Sequence, residues 1–198
     1  MSRRSAVVAA VAALALVFAW LLFVALPRWY GANPAQASSA APSTSGRGSA
    51  PAASAKKITA TLFYVADDGM TLKGVQKEVP FGETVPEQAR AIIEAQLAAS
   101  PPLLSAIPSG TKLHDVFVTE RGDGFVDLSG ELSSQHTGGS LDELLTVYAI
   151  VDAVTVNLPA VTRVQILVDG KEVETLAGHV DLRHPLTKSL QWVAHDTQ

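Results

Sequence analysis

The chain has 198 residues, with 15 Lys and Arg against 19 Asp and Glu, and it contains no cysteine, so it offers no disulfide, thiolate metal site or lipidated cysteine. Residues 1–57 carry six basic groups and no acidic one, which leaves residues 58–198 with nine basic against nineteen acidic groups, a net charge of −10. That balance argues against a nucleic-acid partner, whose phosphate backbone demands clustered Lys and Arg.

Ala6 to Leu26 runs for 21 residues without a charge or a proline. At 1.5 Å per residue this spans roughly 30 Å, the thickness of a hydrocarbon core. Arg3 and Arg4 precede it, and Arg28, Trp29 and Tyr30 follow with the charge and interfacial aromatics expected at a membrane surface. Residues 1–30 therefore read as a single transmembrane anchor. The alternative is a cleaved secretory signal, for which Ala35-Gln-Ala37 supplies a small-residue pattern, but a signal's apolar region is usually only about 7–15 residues long. Both readings export the remainder. Positive-inside bias puts the N-terminus in the cytoplasm and the C-terminal part outside it, in the periplasm.

Residues 31–56 are almost wholly Ala, Ser, Pro, Gly and Thr, with no aromatic or large aliphatic side chain to offset ordering entropy. They read as a disordered tether, with an end-to-end distance of about 25–30 Å as a flexible coil.

A folded domain is expected over residues 57–190, with a short tail at 191–198. Ile58, Ala60, Leu62 and Tyr64 alternate with Thr59, Thr61, Phe63 and Val65, a strand apolar enough to lie inside a sheet. Asp67-Asp68-Gly69 turns the chain, and Leu72–Val79 is its antiparallel partner. Thr84-Val-Pro-Glu87 opens a helix with a capping box and Pro in its first turn; Ala89, Ile92, Ile93 and Leu97 are its buried stripe, and Pro101-Pro102 stops it. A strand at Lys112–Thr119 and a turn at Arg121–Gly124 lead into Phe125–Leu128. Ser140-Leu-Asp-Glu143 reads as a second capping box, with Leu141, Leu144, Leu145, Tyr148, Val151 and Leu158 as the stripe of a long helix ended by Pro159. In Val161–Val173, Thr162, Val164, Ile166 and Val168 share one face, and Asp169-Gly170 is a hairpin signal because both central residues of a type I′ turn need positive φ. Residues after Gly178 read as an extended tail.

The titratable residues form no recognised catalytic set. His114, His136, His179, His184 and His195 show no helical metal spacing, and none begins a zinc-hydrolase motif. His179, Asp181 and His184 are the one dense group, for which a solvated loop is the ordinary outcome. Asp67, Asp68, Asp123 and Asp169 each adjoin a turn glycine, and turn chemistry accounts for them. Asp127, between Val126 and Leu128, should face away from the core in a structural role. Gly138-Gly139 before a helix could hold an anion, but Asp142 and Glu143 in the first turn would repel one. No Gly-x-Ser-x-Gly elbow is present.

Ala60-Thr-Leu-Phe-Tyr64, Ile107-Pro-Ser-Gly-Thr111, Val126-Asp-Leu-Ser129, Gly138-Gly-Ser140 and Val164-Gln-Ile-Leu-Val-Asp-Gly-Lys171, in that order, resemble the GerMN domain of spore-germination and envelope proteins. Leu176-Ala-Gly-His179 followed by Pro185-Leu186 is similar to the ending of some members. The resemblance implies an extracytoplasmic domain related in fold to ring-building modules of envelope machines, with no catalytic residues or cofactor to carry over. The expected architecture is α+β: a two-layer sandwich of an antiparallel-rich mixed sheet with two helices on one face, preceded by the transmembrane helix. The expected role is non-catalytic binding or assembly in the cell envelope, held to the inner membrane by its N-terminal helix and acting on an envelope protein. Its rivals are a binder of cell-wall glycan (peptidoglycan), which needs exposed aromatics, and an envelope hydrolase, which needs a convergent polar cleft.

Overall fold

The computed structural model describes residues 56–194. The expected anchor, residues 31–55 of the expected tether, and residues 195–198 lie outside the described residues. Among the described residues no helix is long and apolar enough to cross a membrane.

Strands β1 (Lys57–Val65) and β2 (Leu72–Pro80) form an antiparallel ribbon with Lys57 opposite Pro80 and Val65 opposite Leu72. The carboxylate of Asp68 closes the turn by accepting the N–H groups of Met70 and Thr71 and the Thr71 hydroxyl. Helix α1 (Val85–Leu97) opens on the capping box read from the sequence: Thr84 Oγ1 accepts the Glu87 N–H, and the Glu87 carboxylate accepts the Thr84 N–H at 3.1 Å. Its inward stripe is Ala89, Ile92 and Ile93, all fully buried.

A second sheet contains β3 (Leu113–Val118), β4 (Asp123–Leu128), β5 (Arg163–Val168), β6 (Lys171–Glu172) and β7 (Leu186–Thr187). β3 and β4 are an antiparallel hairpin. β4 and β5 run parallel, joined by a crossover through α2 (Glu131–Ser134) and α3 (Ser140–Asn157). β6 and β7 share the far edge of β5, β6 at its end and β7 at its start. Asp169 and Gly170 have φ of 50° and 73°, which is the two-residue hairpin turn the sequence signals.

The fold is thus α+β, with two sheets and three helices instead of one sheet and two. The reason lies at β1. Its faces are buried as expected, but its second edge is occupied by side chains. Asn157 Oδ1 accepts the Thr61 N–H, and Asn157 Nδ2 donates to the Thr61 carbonyl. Gln96 makes the same pair of bonds to Phe63, and the Leu104 carbonyl accepts the Val65 N–H. With those groups taken, no further strand can add there, and the ribbon stays separate from the five-stranded sheet.

Three other expectations change. Ser140 does not cap α3: Gly139, at φ 94°, precedes the helix without a side-chain cap, and Glu143 is engaged elsewhere. Nor is α3 one-sided. Its residues from Leu145 to Thr155 are buried except Tyr148, so it is the central helix of the core, while Leu141, Leu144 and Leu158 are only half-buried. The segment after Gly178 is more than an extended tail, since it supplies β7, the buried Leu182 and a 3₁₀ turn at Leu190–Trp192. The Ala194 N–H then donates to the Leu72 carbonyl on β2.

Candidate functional site

Three polar regions bring together most of the residues singled out above. The first is at one end of the five-stranded sheet, where Ile107–Thr111, Val126–Ser129 and Val164–Lys171 converge. Lys112 and Ser129 exchange bonds, with the Lys112 N–H on Ser129 Oγ and the Ser129 N–H on the Lys112 carbonyl, both at 2.9 Å. Asp127, on the half-exposed face of β4 as expected, reaches across to accept the Gly170 N–H at 2.7 Å. Asp169 returns the tie by accepting the Gly130 N–H at 3.1 Å. His114 Nδ1 stands 3.7 Å from Asp127 and 3.9 Å from Asp169. An open groove of about 450 Å³ lies here, lined by Lys112, His114, Ser129, Gly130, Glu131, Ser134 and Asp169. Charges of both signs line it, and both turn carboxylates are occupied with backbone amides.

The second region surrounds Glu143. This side chain is fully buried, and its carboxylate is enclosed by the Leu176–Val180 loop. Leu176 N–H donates to one oxygen at 2.8 Å and His179 N–H to the other at 2.8 Å, with His179 Nδ1 at 3.1 Å. Burial pushes the carboxyl upward. The amides of Ala177, Leu176, His179 and Val180 together outweigh that, so its pKa lies below the ordinary glutamate value. The trio seen in the sequence does not converge. His179 turns to Glu143, Asp181 is paired with Arg183 by two bonds, and His184 is exposed. No group of three or more His, Asp or Glu among the described residues is arranged to hold a metal ion.

The third region is a cleft of about 350 Å³ where the β1–β2 turn, the Leu103–Pro108 connector and the start of α3 meet. His136 and Thr146 lie in its wall. The Gly138 N–H donates to His136 Nδ1 at 3.0 Å, which places the ring proton on Nε2, 3.2 Å from Thr146 Oγ1. The Thr146 hydroxyl is directed to the carbonyls of Ala106 (2.6 Å) and Asp142 (2.8 Å). A histidine in this tautomer donates to the hydroxyl and cannot accept its proton, so the pair is not set up as base and nucleophile. Gly138 thus serves the entry to α3 through His136, and the Gly139 carbonyl accepts the Glu143 N–H.

The sequence profile described as "Germane: Sporulation and spore germination" matches residues 61–174, more than half of the chain. The chain belongs to that family. The matched Germane stretch contains the whole first region, the third, and Glu143; the loop that encloses Glu143 follows it. Among solved structures, the tandem GerMN domains of the sporulation protein GerM from Bacillus subtilis align at 15% identity and TM-score 0.50, over 67% of this chain and 46% of that one. The first GerMN domain of GerM aligns at 15% identity and TM-score 0.48, covering 66% of this chain and 97% of that one. A Clostridium perfringens protein described as a lipoprotein aligns at 23% identity and TM-score 0.47, over 67% and 88%. No curated protein sequence matches the chain.

Several polar residues that organise this Germane domain were not singled out as such by the sequence reading: Glu143, Gln96, Asn157 and Asp152. Asp152 is fully buried on α3, with Oδ1 accepting the Ser189 N–H at 3.0 Å and no partner for Oδ2. Burial raises its pKa, against weaker lowering by the Ser189 amide and the Lys188 charge. The available signal was a lone acid among the apolar residues of Tyr148–Val156. Such a residue is retained inside a core only when bonded or functional.

Proposed function

We propose that this Germane-family protein is a non-catalytic binding or assembly module of the cell envelope, displayed outside the cytoplasm on its N-terminal apolar segment. One observation carries the reading: the side chains best suited to chemistry are spent on holding loops. Asp127 and Asp169 tie the β5–β6 turn to the β4 end, Glu143 gathers the Leu176–Val180 loop, and His136 fixes the approach to α3. A domain whose polar groups define its surface loops in this way presents shape and charge to a partner. The family description, sporulation and spore germination, supports a sporulation-type setting, and GerM is named as a sporulation protein.

The glycan-binding rival gains little from the aromatic residues. Phe63 and Tyr64 are buried in β1; of the exposed rings, Phe81 carries the Lys56 ammonium at 3.6 Å and Phe117 stands on β3. With residues 58–198 at −10, a partner face that is basic and salt-sensitive is expected, because like charges repel within a Debye length of about 8 Å at physiological salt. The test is crosslinking of the full chain in cells, with membrane fractionation. The expected result is a membrane-bound protein that forms an adduct with a different envelope protein, in a yield that falls as salt rises. A soluble mature form starting at Ser38, or adducts only between copies of this chain, would contradict the proposal.

A further inference from the structure

We infer that the cleft beside His136 is a docking groove for an extended segment of a partner polypeptide carrying apolar side chains and a Lys or Arg. The inference rests on the binding role proposed above and assigns it a site. The floor is apolar, with Val65, Ala106, Pro108 and Leu145 among the lining residues. Of the two most exposed large hydrophobic residues among the described ones, one lines the cleft and the other is next in sequence to a lining residue. Leu104 is 65% exposed and lines the cleft; Met70 is 64% exposed and follows Gly69, which also lines it. The backbone of each is tied, Leu104 through the Val65 N–H on its carbonyl and Met70 through its N–H on the Asp68 carboxylate. Exposed apolar groups clustered at a concave site mark an interaction surface, whereas scattered ones do not.

Charge selects the occupant. The lining includes Asp142 and no Lys or Arg, and the adjacent turn adds Asp67 and Asp68. Lys73, the nearby cation, has its ammonium on Asp67 at 2.8 Å. Asp142 is exposed and takes one long bond, from the Thr137 hydroxyl at 3.3 Å, so its carboxylate remains open to an ammonium or guanidinium. An acidic segment would meet repulsion at both walls. The volume of about 350 Å³ suits a few side chains, near the lower end of the range of about 300–1,000 Å³ for ligand sites.

The experiment places a photoreactive p-benzoylphenylalanine at position 104 of the full chain in detergent micelles. The probes are biotinylated octapeptides of alternating Lys-Leu, Glu-Leu and Lys-Ser. Saturable labelling by Lys-Leu is expected, about tenfold above either other peptide, and Asp142→Asn should lower it at least fivefold with the thermal melt unchanged. Equal labelling by Lys-Ser, equal labelling from position 117 on β3, or no effect of Asp142→Asn would overturn the groove. In cells, the same group is placed at positions 104, 117 and 190. An adduct with another protein from 104 that Asp142→Asn abolishes supports the groove. Adducts from 117 or 190 but not 104 remove the groove and leave the binding role standing, whereas adducts from none remove both. A crosslink from 104 to the chain's own residues would assign the cleft to an internal segment and overturn the partner.

Discussion

Gln96 clamps the backbone of Phe63 from both sides of one residue: its Oε1 accepts the Phe63 N–H at 2.9 Å and its Nε2 donates to the Phe63 carbonyl at 2.7 Å. A side-chain amide here reproduces the pair of bonds a neighbouring strand would make, and it does so from a helix. The edge of β1 is thereby closed without adding a strand, which is one way a protein prevents edge-to-edge pairing. Replacing Gln96 with Leu keeps the volume but leaves a buried donor and a buried acceptor unpaired. At about 1–3 kcal/mol for each such group, Gln96→Leu should lower the urea midpoint by the equivalent of about 2–6 kcal/mol. A loss below 0.5 kcal/mol would mean that water or a local shift satisfies Phe63.

This clamp also marks where the sequence stopped being legible. The local patterns were readable: alternation gave β1 and β2, Thr84 and Glu87 gave the start of α1, and Asp169-Gly170 gave the β5–β6 turn. Each depends on residues close together in the chain. The division into two sheets depends on Gln96 and Asn157 meeting β1 across separations of 33 and 96 residues, and a polar residue on a helix face gives no sign of what it will touch. The same gap misplaced Glu143. Its spacing from Ser140 fits a capping box, but burial put its carboxylate within reach of amides 33 to 36 residues away. β7, a two-residue strand, was too short for periodicity to register.

Glu143 leads to a prediction about acid stability. Its pKa is lower in the folded protein than the ordinary value of 4.5, so it contributes stability that is present above that value and lost as pH falls through the folded pKa. Glu143→Gln should cost about 1.5–3 kcal/mol at pH 7, the worth of hydrogen bonds to a charged group. The difference between the two proteins should then shrink below pH 4.5. Melting curves from pH 3 to 7 would show this, and a constant difference across the range would count against a charged Glu143.

Asp152 has the opposite sign. Burial raises its pKa above the ordinary 3.8, so the carboxyl is easier to protonate in the folded chain than in the unfolded one. Its effect is least costly below pH 3.8, and stability falls as pH rises to the folded pKa. Asp152→Asn keeps an acceptor for the Ser189 N–H and removes the buried charge. It should stabilise the protein at pH 7 by about 1 kcal/mol, on the scale of one poorly satisfied buried polar group, with the gain declining toward pH 3.8. Destabilisation at pH 7 would point to a real partner for Oδ2, such as the Lys188 ammonium.

The final prediction concerns the crossed ties at the sheet end. Asp127 on β4 accepts the amide of Gly170, and Asp169, next to that glycine, accepts the amide of Gly130 just beyond β4. Each carboxylate therefore protects one named amide, and the two ties fasten the same turn in opposite directions. If they are independent, Asp127→Ala should speed hydrogen exchange at Gly170 and leave Gly130 nearly unchanged, and Asp169→Ala should do the reverse. If the turn moves as one body, either substitution will release both amides, and the double variant will cost less than the two single losses together. The second outcome is expected, because the β5–β6 turn has only two residues, Asp169 and Gly170, and each takes part in one of the two ties. Exchange measured by NMR on the two single variants and the double variant distinguishes the cases. Independent release of the two amides would show that the ties are separate local bonds and do not form a single fastening.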